Sequence, residues 1–322
     1  MFQVTYTLKN RHIQTLYAPL FRKQKKKLLF EIERFELKDK DFIECYWHNQ
    51  APKDGVPIVI LFHGLAGSFK SPYILGVMKA LEKKGFASVV MHFRGCSGKE
   101  NLLPYSYHSG ETSDAKAWIN YLNVKYKKSP LYGVGYSIGG NMLLKLLGED
   151  GLDTPLKSAV AISAPMDLEI TAKRVNQGFS KWYQAHLLKP LKKTLLKKYS
   201  RFNMEKLIKQ TPDNIRKIKT IEEFDEKYTA PINGFKSAKD YYKKSSAKQF
   251  LKDIKIPTLI IHALDDPFMT PKVLPTQDEV SNHITLNISQ HGGHVGFVNG
   301  SLFKPKYWLE ERIVNYLEEQ YT

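Results

Sequence analysis

Two spacings of apolar residues organise this chain, and one stretch follows neither. Residues 28–37 and 42–48 alternate apolar with polar positions around the turn-forming Lys38-Asp39-Lys40-Asp41, which predicts an antiparallel hairpin. From Val56 onward the apolar positions become continuous at 56–62, 86–93, 130–136, 159–164 and 258–263, and 284–288 ends the series. Such runs predict strands buried on both faces. Between them, helical spacing covers 73–84, stopped by Gly85, then 112–125, and then 137–147, stopped by Gly148. A last helix over 307–317 puts Leu309, Ile313, Tyr316 and Leu317 on one face. Strands alternating with helices place the chain in the α/β class, with a mostly parallel sheet flanked by helices. Residues 168–250 break the rhythm. They are helix-rich and lysine-rich and lack buried-strand runs. They read as a helical lid inserted into a core domain made of residues 1–167 and 251–322.

Hydrophobic residues at 42% and charged residues at 25% suit a globular chain of 322 residues. That length buries a core large enough for one domain with an insertion. The charge balance adds something new. The formal net charge is +17, and residues 168–250 alone hold 20 Lys and Arg against 8 Asp and Glu. A basic lid of this kind suits peripheral contact with anionic membrane, although a solvated lysine-rich helical face is the simpler account. The basic segment at residues 22–27 adds to the field. Without zinc-finger spacing or a glycine–aromatic signature, no nucleic-acid partner is expected. Two cysteines, Cys45 and Cys96, support neither a disulfide framework nor a metal cluster, and favour a reducing, cytoplasmic setting. The first residues lack the apolar core of a signal peptide, and no uncharged apolar run is long enough to span a bilayer.

The chemistry concentrates at Gly135-Tyr136-Ser137-Ile138-Gly139-Gly140, which fits G-x-S-x-G between a strand and a helix. The glycines admit a turn too tight for flanking side chains, and the serine hydroxyl is left exposed at the helix start, where amides favour an oxyanion. A serine hydroxyl is a weak nucleophile and needs a base. Downstream, the 258–263 strand runs into Asp265-Asp266, an acid at the carboxyl end of a strand. Counting from the small Ala263, the spacing favours Asp266, while Asp265 stays open. Next comes Gln290-His291-Gly292-Gly293-His294, whose glycines let an imidazole approach the serine. His294 is the candidate base and His291 a loop residue. The oxyanion donors are expected to be the backbone N–H of Ile138 and that of Leu65, in the loop His63-Gly64-Leu65 after the 56–62 strand. His63 precedes the serine and reads as a brace, and Cys96 as part of a turn at the rim. His108-Ser109-Gly110-Glu111-Thr112 and Asp114 read as the start of the next helix, with Thr112 or Ser113 as its cap. No P-loop, dinucleotide fingerprint or H-E-x-x-H occurs, so no cofactor or metal is implied.

Taken together, these motifs resemble the YheT-like α/β-hydrolases, a family related to several animal abhydrolase-domain proteins. The resemblance rests on Arg11-His12-Ile13-Gln14-Thr15-Leu16, His63-Gly64-Leu65, Phe93-Arg94-Gly95-Cys96-Ser97-Gly98 and Tyr107-His108-Ser109-Gly110-Glu111-Thr112. It continues through the serine motif with Asn141, Tyr228-Thr229-Ala230-Pro231 with Gly234-Phe235, Asp265-Asp266-Pro267-Phe268 and the His291–Phe297 segment. It implies an eight-stranded sheet, the same Ser137, Asp266 and His294 triad, and hydrolysis of acyl or lipid-like carboxylic esters through an acyl-enzyme. An acyltransferase using the same residues is the alternative, as is a non-catalytic membrane-peripheral protein on the same fold.

Overall fold

The computed structural model describes residues 2–22 and 28–321, so residues 23–27 of the basic segment lie outside the described residues. Eight strands form one sheet: β1 (Phe30–Glu36), β2 (Phe42–His48), β3 (Ile58–Phe62), β4 (Ala87–Met91), β5 (Leu131–Tyr136), β6 (Leu156–Ile162), β7 (Thr258–Ala263) and β8 (Ile284–Ser289). Their spatial order is β1-β2-β4-β3-β5-β6-β7-β8. The hairpin β1–β2 is antiparallel, β2 meets β4 antiparallel, and every later pairing is parallel. A small antiparallel pair, β9 (Val298–Gly300) and β10 (Pro305–Tyr307), follows.

The continuous apolar runs are explained by the two faces of this sheet. Along β3, Ile58, Ile60 and Phe62 enter one core cluster while Val59 and Leu61 enter the other, because successive side chains point to opposite faces. A strand covered on both sides is apolar at most positions, with Ser88, Ser158 and His262 as buried exceptions in this sheet, and each buried large apolar side chain contributes about 1.5–3 kcal/mol. The helices that cover it are α1 (Arg11–Phe21), α2 (Pro72–Glu82), α3 (Ser113–Lys125), α4 (Ile138–Asp150) and, at the other end of the chain, α12 (Trp308–Glu319). Pro72 at the first turn of α2 and Gly85 at φ +77° just beyond it set that helix's limits. Leu309, Ile313, Val314, Tyr316 and Leu317 form the buried face of α12.

One local expectation changes and another holds in part. The α4 helix does not stop at Gly148 but runs to Asp150, because Gly148 admits another segment. A Cβ there would lie 2.3 Å from the Phe250 carbonyl oxygen. Thr112 stands at the N-cap of α3, but its side chain makes no capping hydrogen bond. The Thr112 hydroxyl donates to Glu149 at 2.7 Å, while the Ser113 amide donates to Glu111 at 2.8 Å.

Between β6 and β7 the chain is helical: α5 (Leu168–Val175), α6 (Ser180–Lys198), α7 (Met204–Ile208), α8 (Pro212–Lys217), α9 (Ile221–Phe224), a π-helical turn (Asp225–Thr229), α10 (Ala230–Ile232) and α11 (Ala238–Ser245). It carries small apolar clusters of its own, one built on Leu188, Leu195, Met204 and Phe224, another on Leu168, Ala172, Tyr241 and Tyr242. Polar ties fasten it to the sheet layer. The Ser180 hydroxyl donates to the Pro267 carbonyl at 2.6 Å, and the Asn141 amide group donates to the Ser109 and Ser245 carbonyls, both at 2.8 Å. The buried Lys198 ammonium donates to Asn101 Oδ1 at 2.7 Å, to the Leu103 carbonyl at 2.8 Å and to the Tyr105 carbonyl at 3.3 Å. No helix among the described residues is long and apolar enough to cross a membrane.

Candidate active site

The carboxyl ends of β3, β5 and β7 converge on one cavity, and the backbone there is under unusual demands. Ser137 has φ +53° and ψ −122°, a region that side-chain-bearing residues rarely occupy. Glycines make the turn feasible. A Cβ on Gly139 would lie 2.6 Å from the carbonyl oxygens of both Phe62 and His63, and one on Gly135 would lie 2.5 Å from the Gly139 oxygen. The Ser137 amide donates to the Ile162 carbonyl at 2.8 Å, and α4 begins at the next residue.

His294 lies between Ser137 and Asp266. Its Nε2 is 3.0 Å from the Ser137 Oγ, and its Nδ1 is 2.8 Å from Asp266 Oδ2. A carboxylate only accepts, so Nδ1 carries the ring proton and Nε2 is free to accept the serine's. Asp266 is 1% exposed and takes a second hydrogen bond from the Phe268 amide at 2.8 Å. The neighbouring aspartate faces the loop instead. Asp265 accepts from the Gly293 amide at 2.9 Å, and its other oxygen meets His291 Nδ1 at 3.2 Å. The two acids and two histidines thus sort into one row that includes the serine and one pair that shapes the histidine loop.

That loop has further supports that sequence reasoning missed. The His294 amide donates to the Thr15 hydroxyl at 3.0 Å, the Val295 amide donates to Ser163 Oγ at 3.1 Å, and the Phe268 ring lies 4.3 Å from the His294 ring. Thr15 belongs to the Arg11–Leu16 segment noted for its resemblance, but nothing in the residue type announced a tie to a histidine 279 positions away. Gln14 next to it is fully buried and bonds the carbonyls of Leu8 and Val298 and the Val298 amide.

The loop after β3 has its donors almost fully committed. The Gly64 amide donates to the Tyr73 hydroxyl at 3.0 Å, Ala66 to the Tyr107 hydroxyl at 3.0 Å, and Gly67 to the Gly64 carbonyl at 2.9 Å. Among the described residues the amides of Leu65 and Ile138 have no such partner, and both residues line the cavity with Ser137. Gly64 lets this loop come close, since a Cβ on it would touch the Ser137 Cβ at 3.3 Å. His63 and His92 brace the arrangement. His63 Nδ1 donates to the Gly64 carbonyl at 2.7 Å while its Nε2 accepts from the Phe93 amide at 3.2 Å. His92 Nε2 accepts from the Phe69 amide at 3.0 Å. Burial lowers His63 to about 3 and His92 to about 4, so both are neutral braces at physiological pH. Cys96 lines the cavity, but burial pushes its thiol up to about 12, so it supplies no thiolate. Arg94 of the same segment binds Asp114 with two bonds of 2.7 Å and reaches Asp39 at 2.6 Å and Asp41 at 3.2 Å. Asp114 stands in the first turn of α3, as expected, and is at the same time a buried ion-pair partner of Arg94.

The cavity measures about 700 Å³ and is roofed by the helical insertion. Leu187, Pro190, Leu191 and Leu195 of α6 face it together with Pro19 and Leu20 of α1. Among the described residues no group of three or more His, Cys, Asp or Glu is placed to hold a metal ion.

The comparisons bear on the family and the fold. The family described as the alpha/beta hydrolase fold matches residues 57–301. YheT of Escherichia coli (strain K12), provisionally named an esterase, is 42% identical over 309 residues, covering 96% of this chain and 90% of that protein. Phospholipase ABHD3 of Mus musculus is 30% identical over 245 residues, which is 76% of this chain but 59% of that protein. The chain thus spans about three-fifths of that phospholipase's length. A solved structure of the Pyrococcus furiosus esterase Pf2001 superposes with a TM-score of 0.60 at 18% identity, covering 92% of both chains.

Proposed function

Because the chain belongs to the YheT-like α/β-hydrolases, we propose that it hydrolyses carboxylic esters of acyl or lipid-like substrates through an acyl-enzyme on Ser137. The observation that carries this reading is the row in which His294 lies 3.0 Å from the Ser137 Oγ and 2.8 Å from Asp266. His294 takes the serine proton as Oγ attacks the ester carbonyl, Asp266 holds the imidazolium, and the N–H groups of Leu65 and Ile138 receive the oxyanion. The alcohol leaves with the proton from His294. Water, deprotonated by the same histidine, then releases the acid.

The insertion over residues 168–250 acts as the lid, and its leucines hold the acyl chain in the cavity. The exposed Leu20, Phe21, Phe179 and Trp182, beside exposed lysines of α6, bring the cavity mouth to an anionic membrane surface. Two free cysteines are in keeping with residence in a reducing cytoplasm. A non-catalytic scaffold would have no use for three side chains in hydrogen-bonded register with two unpaired amides beside them.

A fluorophosphonate probe tests the mechanism. Labelling of the wild type and none of Ser137→Ala is the expected result, whereas equal labelling of both would sink the reading. Product analysis with a p-nitrophenyl ester and a competing alcohol separates the functions, because transfer of the acyl group to the alcohol in preference to water would make the protein an acyltransferase.

A further inference from the structure

The roof of the cavity carries one acid that the proposed mechanism does not use. Asp225 opens the π-helical turn Asp225–Thr229 and lines the same cavity as Ser137. Single π turns recur at functional positions in helices. The residue is 8% exposed, and among the described residues no Lys or Arg pairs with it. Its partners are hydroxyls. Tyr242 donates to Oδ2 at 2.8 Å, and Thr229 is the second. The charge it feels is that of Glu222, which has the same sign.

A carboxylate offers about four acceptor positions, so two hydroxyl donors leave it under-satisfied. Burying a carboxyl without a cation costs several kcal/mol, which a side chain kept only for packing does not have to bear. Burial accordingly pushes Asp225 up to about 7. The phenols around it are already committed. The Tyr228 hydroxyl bonds Ser106 and the Pro104 carbonyl, and the Tyr241 hydroxyl accepts from the Ser109 amide. Asp225 is the one carboxyl among the described residues that line the cavity, and it is the strongest acceptor on this side.

We propose that Asp225, held by Tyr242 and Thr229, is a recognition subsite that accepts a hydrogen bond from a free hydroxyl on the alcohol portion of the substrate, so that the preferred esters are polyol esters. This rests on the ester-hydrolase reading above. A hydroxyl fits better than an ammonium group. The net charge of +17, with 20 Lys and Arg against 8 Asp and Glu in residues 168–250, repels cationic substrates. A carboxyl that is partly protonated near neutrality still accepts through its carbonyl oxygen.

Three esters of one acyl chain test it: the glycerol monoester, the methyl ester and the aminoethyl ester. The wild type is expected to favour the glycerol ester in kcat/KM by about tenfold or more over the methyl ester, the scale of one well-made hydrogen bond. Asp225→Leu is expected to erase that preference while leaving the methyl ester within about threefold, and Asp225→Asn to retain part of it through its amide oxygen. A wild type without the preference, a stronger preference for the aminoethyl ester, or a loss in Asp225→Leu that is equal across all three esters would each overturn the subsite. Binding gives a readout independent of turnover. An alkyl glycerol ether, which cannot be hydrolysed, is expected to bind the wild-type protein about tenfold tighter than the matching alkyl methyl ether. Equal binding of the two ethers overturns the subsite even if esters are cleaved. Failure to cleave any ester with the ether preference intact overturns the hydrolase reading instead.

Discussion

The floor and the roof of the cavity are ordered by different physics. In the floor, main chain meets main chain. Gly135 and Gly139 sit where a single added carbon would collide, Gly64 where it would crowd Ser137, and Ser137, Ser163, Val295 and Phe297 all hold positive φ. In the roof, order comes from small apolar clusters and from side chains that reach down to the core, such as Ser180 and Lys198. Backbone packing of the first kind fixes atoms to fractions of an ångström and tolerates no exchange. Side-chain ties of the second kind leave shape adjustable. The division suits a protein whose bond-breaking step is constant and whose choice of substrate is not.

The largest expected effect comes from the floor. Ser137→Ala is expected to lower kcat on any ester by about 10⁶-fold. The thermal midpoint should barely move, since the hydroxyl accounts for little packing. Steady-state assays on a short and a long ester check it, and a residual activity near wild type on either would remove Ser137 from the reaction. Next in size is the contrast between adjacent acids. Asp266→Asn is expected to cost about 10⁴-fold in kcat by spoiling the imidazole's tautomer and charge balance. Asp265→Asn, at a residue that binds His291 and the Gly293 amide, is expected to cost about tenfold or less. Equal losses would mean that the two acids share the work.

This floor was largely legible in the amino-acid sequence because its constraints are local. A buried strand must be mostly apolar, a sharp turn must have glycines, and the order serine, acid, histidine follows the order of the strands that carry them. Even there, Gly148 was misread as a stop. Its small size serves Phe250, about a hundred residues later, and the helix passes through it. The roof was legible only as helical and basic. Lys198 looks like any other lysine of α6 until the fold sets three oxygens of the 101–105 segment around it. Asp225 sits among charged neighbours in the sequence, and its burial is a property of the packed insertion. Thr15 and Ser163 escaped notice for the same reason. A hydroxyl that accepts from an amide in a distant loop leaves no periodic trace.

The third prediction moves to the roof and reads stability. Burial depresses the Lys198 ammonium to about 8, yet it holds three neutral acceptors. Lys198→Met keeps the stem's packing and strands those oxygens, and is expected to destabilise the protein by about 2 kcal/mol. For a chain of this size that lowers the thermal midpoint by about 3 °C, and the insertion should become the first site of proteolytic cleavage. The linkage sign is also fixed. A lysine whose folded pKa lies below its unfolded value binds more protons when unfolded, so the wild type gains stability as pH rises from about 8 toward 10. In the methionine variant that gain is absent. A variant as stable as wild type would show that the roof does not hang on this pin.

The smallest effect sharpens the comparison most, because it should change selection and leave chemistry alone. Leu191 is half-buried on α6 and faces the cavity. Leu191→Trp adds ring volume inside the acyl space without touching the floor. A buried methylene contributes about 0.8 kcal/mol, so each one displaced costs about fourfold in kcat/KM. Displacing two would shift the preference between a long and a short acyl ester by more than tenfold. Fluorophosphonate labelling of Ser137 should keep its wild-type rate, since the row of Ser137, His294 and Asp266 lies outside the altered wall. A uniform loss across chain lengths would mean that the roof steers the reacting groups as well, and the separation of floor from roof would fail.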